Sequence, residues 1–394
     1  VADLAVGSGA FPLGMLNEIT KAREVLTTYL NLGRSEKIVR NLYDLKIDTI
    51  KNSIFACDIE PSAVDIAKLR LWLSIVIEDS PNVNTKNFKP KPLPNLDCNI
   101  VCGNSLLDEF EGVPLIQHSE VLNNKGTFQT SLLQENVDNR IIDLIRVQKN
   151  FFSETNHQRK QEYRKYIRDI YDEIVKEQIK KYPRIFKKYQ DVASKKSLPF
   201  ILWQLYFPTV FKDNGGFDII VGNPPYIDSE TMTKSMPELR KICARKFQSA
   251  KGNWDYFIIF VEQGLNLLRL GGVISLIVPN KIISAPYAET IRKIISQNNV
   301  QEIRDYSNVP VFENAAVYPV VIRVEKPMPR NNVLMVVMSD ISTLQSSRTV
   351  NAELFYSNTD WDIYFDSKDE MLKIIQKMSK FPLLGDIAQV NGAA

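Results

Sequence analysis

Short apolar runs alternate with longer stretches of helical period along most of the chain, and each run ends in a polar tip. Segments 53–57, 99–102 and 217–222 are apolar runs of strand length. A helical period is predicted from about residue 12 to 30, directly behind a short apolar opening and two glycines. A second one carries Tyr163, Tyr166, Ile167, Ile170, Ile174 and Val175 at helical spacing. It predicts a long helical pair over 137–196, inserted between the third and fourth strands. Residues 228–248 are polar and irregular and are read as a loop, whose position directly behind Tyr226 favours the mouth of a binding cleft over a plain surface loop. A helix is expected from 254 to 270, with Phe257, Phe260, Val261 and Leu265 on its apolar face as core. Strands follow at 273–278, 300–306 and 317–324, then short strands beyond 330 and a helix near 368–380. Strands alternating with helices predict an α/β fold around a mostly parallel sheet.

In such a sheet ligands bind at the carboxyl ends of the strands, so the tips matter most. The first is Asp3-Leu4-Ala5-Val6-Gly7-Ser8-Gly9-Ala10-Phe11, a strand, a glycine turn and a helix start. Its Gly-x-Gly spacing lacks a phosphate-binding lysine, which argues against a P-loop. The second tip is Asp58-Ile59-Glu60-Pro61, with an acid where nucleotide-binding sheets hold ribose hydroxyls. Taken alone, Asp58 reads as an N-cap ahead of Pro61. The third tip is Gly103-Asn104-Ser105.

The fourth tip, Asn223-Pro224-Pro225-Tyr226, carries the most specific chemistry. The amide oxygen of Asn223 and the carbonyl of Pro224 can each accept an N–H from a planar amine. That draws the nitrogen lone pair out of conjugation and towards an electrophile, while Tyr226 can stack on a ring. The two prolines stiffen the loop and remove two donors. The tetrapeptide alone could be a tight turn after a buried strand, but three glycine or acid tips before it make a constellation.

Composition narrows the classes. The 394 residues can bury one large core plus a smaller unit. No run of eighteen apolar residues and no signal peptide is visible, so a cytoplasmic protein without membrane contact is expected. Cys57, Cys98, Cys102 and Cys243 form no CxxC pair and read as reduced, small hydrophobes. With His118 and His157 the only histidines, a histidine-based metal site is not expected. No Pro-Cys dipeptide occurs, so the cysteine nucleophile needed for ring-carbon cytosine methylation is missing. The net charge is +3, yet residues 137–196 hold sixteen Lys and Arg against nine Asp and Glu. Lys160, Arg164, Lys165, Lys180, Lys181, Lys187 and Lys188 therefore read either as phosphate contacts or as a solvated helical face.

Together these residues resemble the adenine-specific DNA methyltransferases of the Asn-Pro-Pro-Tyr class, and more narrowly the methyltransferase part of type IIG restriction–modification enzymes. The resemblance covers nearly the whole chain. It includes Leu202-Trp203-Gln204-Leu205-Tyr206-Phe207-Pro208, Gly252-Asn253-Trp254-Asp255-Tyr256-Phe257, Val278-Pro279-Asn280-Lys281 and Val311-Phe312. It implies a Rossmann-like S-adenosylmethionine-dependent fold, a mostly parallel seven-stranded sheet with an antiparallel edge strand and a helical insertion. S-adenosyl-L-methionine is the implied cofactor, held by Asp3, Ala5, Gly7, Gly9, Phe11, Asp58, Ile59, Asn104 and Ser105. Catalysis is implied for Asn223, Pro224, Pro225 and Tyr226, and target-base binding for Tyr226 and Phe312. Arg240, Lys241, Arg245, Lys246 and Lys281 are the expected contacts to the DNA backbone. Leu4 and Asn104 depart from the proline and aspartate commoner in the family.

The resemblance divides the chain into a cofactor half at 1–107, a charged helical insertion at 108–205, a catalytic half at 206–330 and an extension at 331–394. The run Leu383-Leu384-Gly385-Asp386-Ile387-Ala388 resembles the start of a target-recognition domain, and the family's upstream segment with a Thr-Pro pair is not found. A fragment cut at both ends is expected, with weak turnover alone. Double-stranded DNA is the expected partner of a monomer whose full-length chain adds nuclease and target-recognition domains. Three rivals remain open. One is a methyltransferase acting on a glutamine side chain or an RNA guanine amine. The second is a non-catalytic DNA-specificity module. The third is a nuclease, for which no acid–acid–lysine motif is found here.

Overall fold

The computed structural model of the chain describes residues 1–32, 41–79, 92–115, 135–195, 197–312, 317–327, 329–357 and 360–366, with isolated positions beyond. His118, Lys196, most of 368–380 and the run Leu383 to Asp386 lie outside the described residues. The chain forms two compact units, one of residues 1–223 with 267–269 and one of residues 224–266 with 270–394. Among the described residues, no helix is long and apolar enough to cross a membrane.

In the first unit four strands run parallel: β1 (Ala2–Asp3), β2 (Phe55–Asp58), β3 (Ile100–Cys102) and β4 (Phe217–Gly222). Their order is β3-β2-β1-β4, with Ala2 paired to Phe55 on one side and Ile220 on the other. Because all four are parallel, their polar tips emerge at one edge of the unit. Helices α1 (Ala10–Leu30), α2 (Leu42–Ser53) and α3 (Pro61–Val76) cover these strands. Each start is legible locally. Gly9 precedes α1 in the left-handed region, the Asn41 side chain caps α2 by accepting from Tyr43 N, and Pro61 supplies a preset φ at the head of α3. Leu16, Ile50, Ala56, Ala67, Leu71, Ile75 and Ile100 form the fully buried centre of this half. Burying each large side chain there contributes about 1.5–3 kcal/mol. The Asn99 amide ties the layers together by donating to the Ile50 and Ile54 carbonyls at 3.0 and 3.1 Å.

The predicted helical pair is instead three helices, α4 (Glu135–Ser153), α5 (His157–Ile179) and α6 (Pro183–Ala193). Asn156 caps α5 through Gln158 N and Arg159 N, and Pro183 cannot continue a helix from before it, so it opens a new one. The apolar period holds where it was read: Ile167, Ile170, Ile174 and Val175 are buried, whereas Tyr166 is exposed. Short helices α7 (Trp203–Tyr206) and α8 (Pro208–Asn214) lead into β4, with Trp203 and Phe217 packed edge to face. Cys57 is buried in this unit, while Cys98 and Cys102 are half-buried.

The second unit corrects the irregular loop predicted at 228–248. That stretch folds as α9 (Ser229–Ser235) and α10 (Pro237–Lys246). The Asp228 carboxylate caps α9 by accepting from Thr231 N, and Pro237 heads α10. Their polar sequence hid them, since Met232 and Cys243 are the buried side chains they contribute. Helix α11 spans Phe257–Leu267, shorter than predicted at both ends. Strands β5 (Leu268–Pro279), β6 (Asn299–Asp305), β7 (Pro319–Glu325), β8 (Val333–Met338) and β9 (Leu344–Val350) follow. Their order is β9-β8-β6-β7-β5. Strand β7 is antiparallel to both neighbours, β5 and β6, and lies inside the order. Strand β8 then adds in parallel to β6, and β9 closes the edge antiparallel to β8. Among the described residues, the main-sheet strands, four in one unit and five in the other, exceed the seven expected. The additional pair, β8 and β9, lies in the region beyond 330 that the sequence pattern marked only as short strands.

Candidate active site

The glycine turn after β1 is held by two carboxylates. Asp58 Oδ2 accepts the N–H of Gly7 at 2.8 Å, while its Oδ1 accepts from Glu60 N at 3.0 Å. The first bond ties the tip of β2 to the turn, and the N-cap of α3 is Glu60 rather than Asp58, the N-cap that sequence alone also allowed. Asp3 Oδ1 accepts from Ala5 N at 3.0 Å. Gly7 and Gly9 have φ of +51° and +80°, a region costly for other residues. A Cβ on Gly9 would also lie 2.9 Å from Ala67 Cα, so this glycine lets α1 start tight against α3.

Around that turn the side chains divide into buried and open ones. Asp3 is 1% exposed, and its Oδ2 has no hydrogen-bond partner among the described residues. Burial pushes its carboxyl up to about 7, the Ala5 N–H opposes that, and the nearby Asp58 charge adds to the rise. Ile59 and Phe11 are 56% and 38% exposed, leaving apolar surface at the first two tips. At the third tip Gly103 packs against Ile201 and Phe200, where a Cβ would meet Ile201 Cδ1 at 2.6 Å. Asn104 is buried and its Oδ1 already accepts from Leu106 N at 3.1 Å. One lone pair of that oxygen is therefore committed to the loop. Ser105 presents its backbone carbonyl to Trp203 Nε1 at 2.9 Å, which makes it a support of this loop.

At the fourth tip, Asn223 Oδ1 is buried and has no hydrogen-bond partner among the described residues. A buried acceptor left unpaired costs about 1–3 kcal/mol, so natural structures keep few of them. Asp3, Gly7, Asp58, Asn104 and Asn223 thus all lie at the tips of the parallel strands of the first unit.

In the second unit Tyr226 donates its hydroxyl to the Ile277 carbonyl on β5 at 3.0 Å, and burial raises its pKa. Its ring meets Phe312 edge-on, with centroids 6.3 Å apart and planes at 78°. The two expected base-binding aromatics are therefore neighbours, though not a stack. Sequence reasoning missed two supports behind them. Buried Asp255 accepts from Ser229 N at 3.1 Å, Tyr287 OH at 2.7 Å and Lys281 Nζ at 3.3 Å. Buried Glu262 accepts from Gln248 N and Ser249 N at 2.9 and 2.8 Å. An acid set among aromatics, as Asp255 is between Trp254 and Tyr256, was the available signal.

The basic candidates separate by geometry. Arg240 lies over the Trp254 ring at 4.8 Å and donates to the Gly252 and Trp254 carbonyls at 2.9 and 3.2 Å, so it braces α10. Lys281 pairs with Asp255, and Lys241 with Glu238 at 2.8 Å on an exposed face. Lys246 Nζ lies 5.6 Å from the Phe247 ring centroid, and Arg245 precedes it on the last turn of α10. In the insertion, Arg164 pairs with Asp97 at 2.7 Å and Lys188 with Glu111 at 2.7 Å. Arg164 ties the insertion to the end of the cofactor half, whereas Lys188 and Glu111 pair within the insertion.

Comparison with known proteins bears on the family of the chain. The family model described as Eco57I restriction-modification methylase matches residues 52–312. A Methanocaldococcus jannaschii chain, grouped with type II restriction enzymes and methyltransferases, is 25% identical over 380 residues, covering 86% of this chain and 30% of its own length. The Escherichia coli type II restriction enzyme and methyltransferase Eco57I is 31% identical over 114 residues, 29% of this chain and 11% of that protein. This chain thus spans less than a third of either relative. The DNA complex of the type IIL restriction-modification enzyme MmeI aligns with a TM-score of 0.47 at 12% identity, covering 89% of this chain and 34% of that one. The chain belongs to the Eco57I restriction-modification methylase family.

Proposed function

We propose that the chain is a site-specific DNA methyltransferase, moving a methyl group from S-adenosyl-L-methionine to the exocyclic N6 amine of an adenine rotated out of the duplex. The observation that carries this reading is the buried, unpaired amide oxygen of Asn223 at the tip of β4. An acceptor kept dry and unsatisfied is suited to an N–H that arrives with a ligand.

The residues of the first unit fit S-adenosyl-L-methionine. Asp3 Oδ2 is a buried acceptor without a partner, Gly7 sits in a turn braced by Asp58, and Ile59 offers exposed apolar surface for a purine ring. The bound donor supplies an electrophilic methyl on a sulfonium. The chain's own residues have the work of orientation. Asn223 Oδ1 and the Pro224 carbonyl accept the two N–H bonds of the amine, which frees its lone pair for attack. Tyr226 and Phe312 hold the base by ring contacts worth about 1–3 kcal/mol each, offsetting part of the few kcal/mol lost on flipping. The amine becomes acidic once alkylated, so no side chain is required as a general base. Arg245, Lys246, Lys241 and the exposed lysines of the insertion would serve the phosphate backbone.

The test is a map of methylated adenines in a methylation-deficient bacterial host carrying the complete native gene that encodes these residues, compared with its Asn223→Ala variant. One motif methylated at adenine N6 by the wild type alone is expected. No new methylation from a soluble, donor-binding protein would overturn the DNA reading in favour of an RNA guanine amine or a glutamine side chain.

A further inference from the structure

Gly222, directly before Asn223, is not a glycine for backbone reasons, because it does not adopt a left-handed φ. What forbids a side chain is Asp3. A Cβ on residue 222 would lie 2.8 Å from Asp3 Oδ1 and 3.4 Å from its Cγ. The end of an exposed side chain could swing away from such a clash. Asp3 is 1% exposed, and the same Oδ1 accepts from Ala5 N at 3.0 Å. One carboxyl therefore touches both the base of the glycine turn and the backbone that delivers Asn223. Strands β1 and β4 are already paired through Ala2 and Ile220, so the wedge sits just past their last shared register point.

Electrostatics does not explain the placement. The charge that acts on Asp3 is Asp58 on β2, which repels it. Asp3 Oδ2 has no hydrogen-bond partner among the described residues. The carboxyl is held by one N–H and by packing.

We propose that Asp3 is a positioning residue for Asn223, a wedge that sets the Asn223 amide oxygen relative to the glycine turn by filling the space a residue-222 side chain would need. Its kinetic consequence rests on the methyl-transfer reading, but its structural consequence does not. Movement of the turn then displaces Asn223, and movement of Asn223 displaces the turn.

A mutant cycle tests this with three readouts: thermal unfolding, equilibrium binding of S-adenosylmethionine, and single-turnover transfer at saturating donor. Gly222→Ala is expected to weaken donor binding roughly tenfold, although residue 222 lies outside the glycine turn, and to slow transfer about 100-fold or more. Asp3→Ser shortens the wedge while keeping an oxygen near Ala5 N. Gly222→Ala combined with Asp3→Ser should behave like Asp3→Ser alone, within about twofold, because the clash is gone. Gly222→Ala combined with Asp3→Asn should show no such rescue, since the amide has the same shape. If Gly222→Ala does not fold, recovery of folding in the Ser double variant, and not in the Asn one, supports the wedge. Losses that simply multiply in both double variants, or a Ser double variant that remains unfolded while Asp3→Ser folds, overturn it. Binding and unfolding need no DNA, so an error in the substrate leaves the test intact.

Discussion

The amide oxygen of Asn223 is buried without a partner, and the fold bears that cost instead of removing it. Asn223→Ala should therefore keep or raise stability, by up to about 1 kcal/mol, while abolishing transfer and leaving donor affinity nearly unchanged. Calorimetric unfolding alongside single-turnover assays checks this; a strong loss of stability would make Asn223 a structural residue. Asp3 gives a second prediction through its pH dependence. Its carboxyl is raised from 3.8 to about 7 in the fold, so the folded state holds a proton that the unfolded chain releases. Stability should then fall as pH rises between those values and level off above, with a total relative to Asp3→Asn of at most about 4 kcal/mol. Unfolding of both proteins from pH 4 to 8 measures the difference, and parallel profiles would refute it. Asn223 and Asp58 were legible because their chemistry is local to a strand tip. The wedge between Asp3 and Gly222 was not, because two segments far apart in sequence meet there.

At the scale of elements, the stretch behind Tyr226 is the main departure from the sequence pattern. It lacks an apolar stripe, yet Asp228, Pro237 and good helix formers such as Glu238, Leu239, Arg240 and Lys241 suffice for two short helices. Their far end is fastened by Glu262, which reaches from α11 to the N–H groups of Gln248 and Ser249. Glu262→Ala would leave two N–H groups without an acceptor and should cost roughly 3 kcal/mol. Faster amide exchange confined to residues near 248, with a lowered melting temperature, is the expected signature. Exchange unchanged there would show that the helices are held by other contacts. Periodicity could not reveal this support, because Glu262 sits in an apolar helix where a buried acid breaks the pattern.

For the molecule as a whole, the charge of the insertion serves attachment as well as any binding. Asp97 sits between Lys68 and Arg164, at 2.8 and 2.7 Å. Burial alone would raise its carboxyl, but those two cations outweigh it and hold the pKa below 3.8. The stability it contributes is present above that value and is lost as pH falls below it. Asp97→Ala strands Lys68, whose side chain is 13% exposed, and should cost about 2 kcal/mol, with a smaller penalty below pH 4. Urea unfolding at pH 7 and at about pH 2 compares the two; an equal penalty at both would rule out the ionic contribution. Strand–helix alternation made the α/β architecture readable from sequence. The position of β7 between β5 and β6 was not, because nothing in its apolar run distinguishes an interior antiparallel strand from an edge one.

The space shared by Asp3 and Gly222 also has a historical consequence. Neither position can change freely while the other stays as it is, so the two should drift together through descent. Relatives carrying alanine or serine before the asparagine of the tetrapeptide should carry a shorter residue where this chain has Asp3. Relatives that keep the acid should keep the glycine.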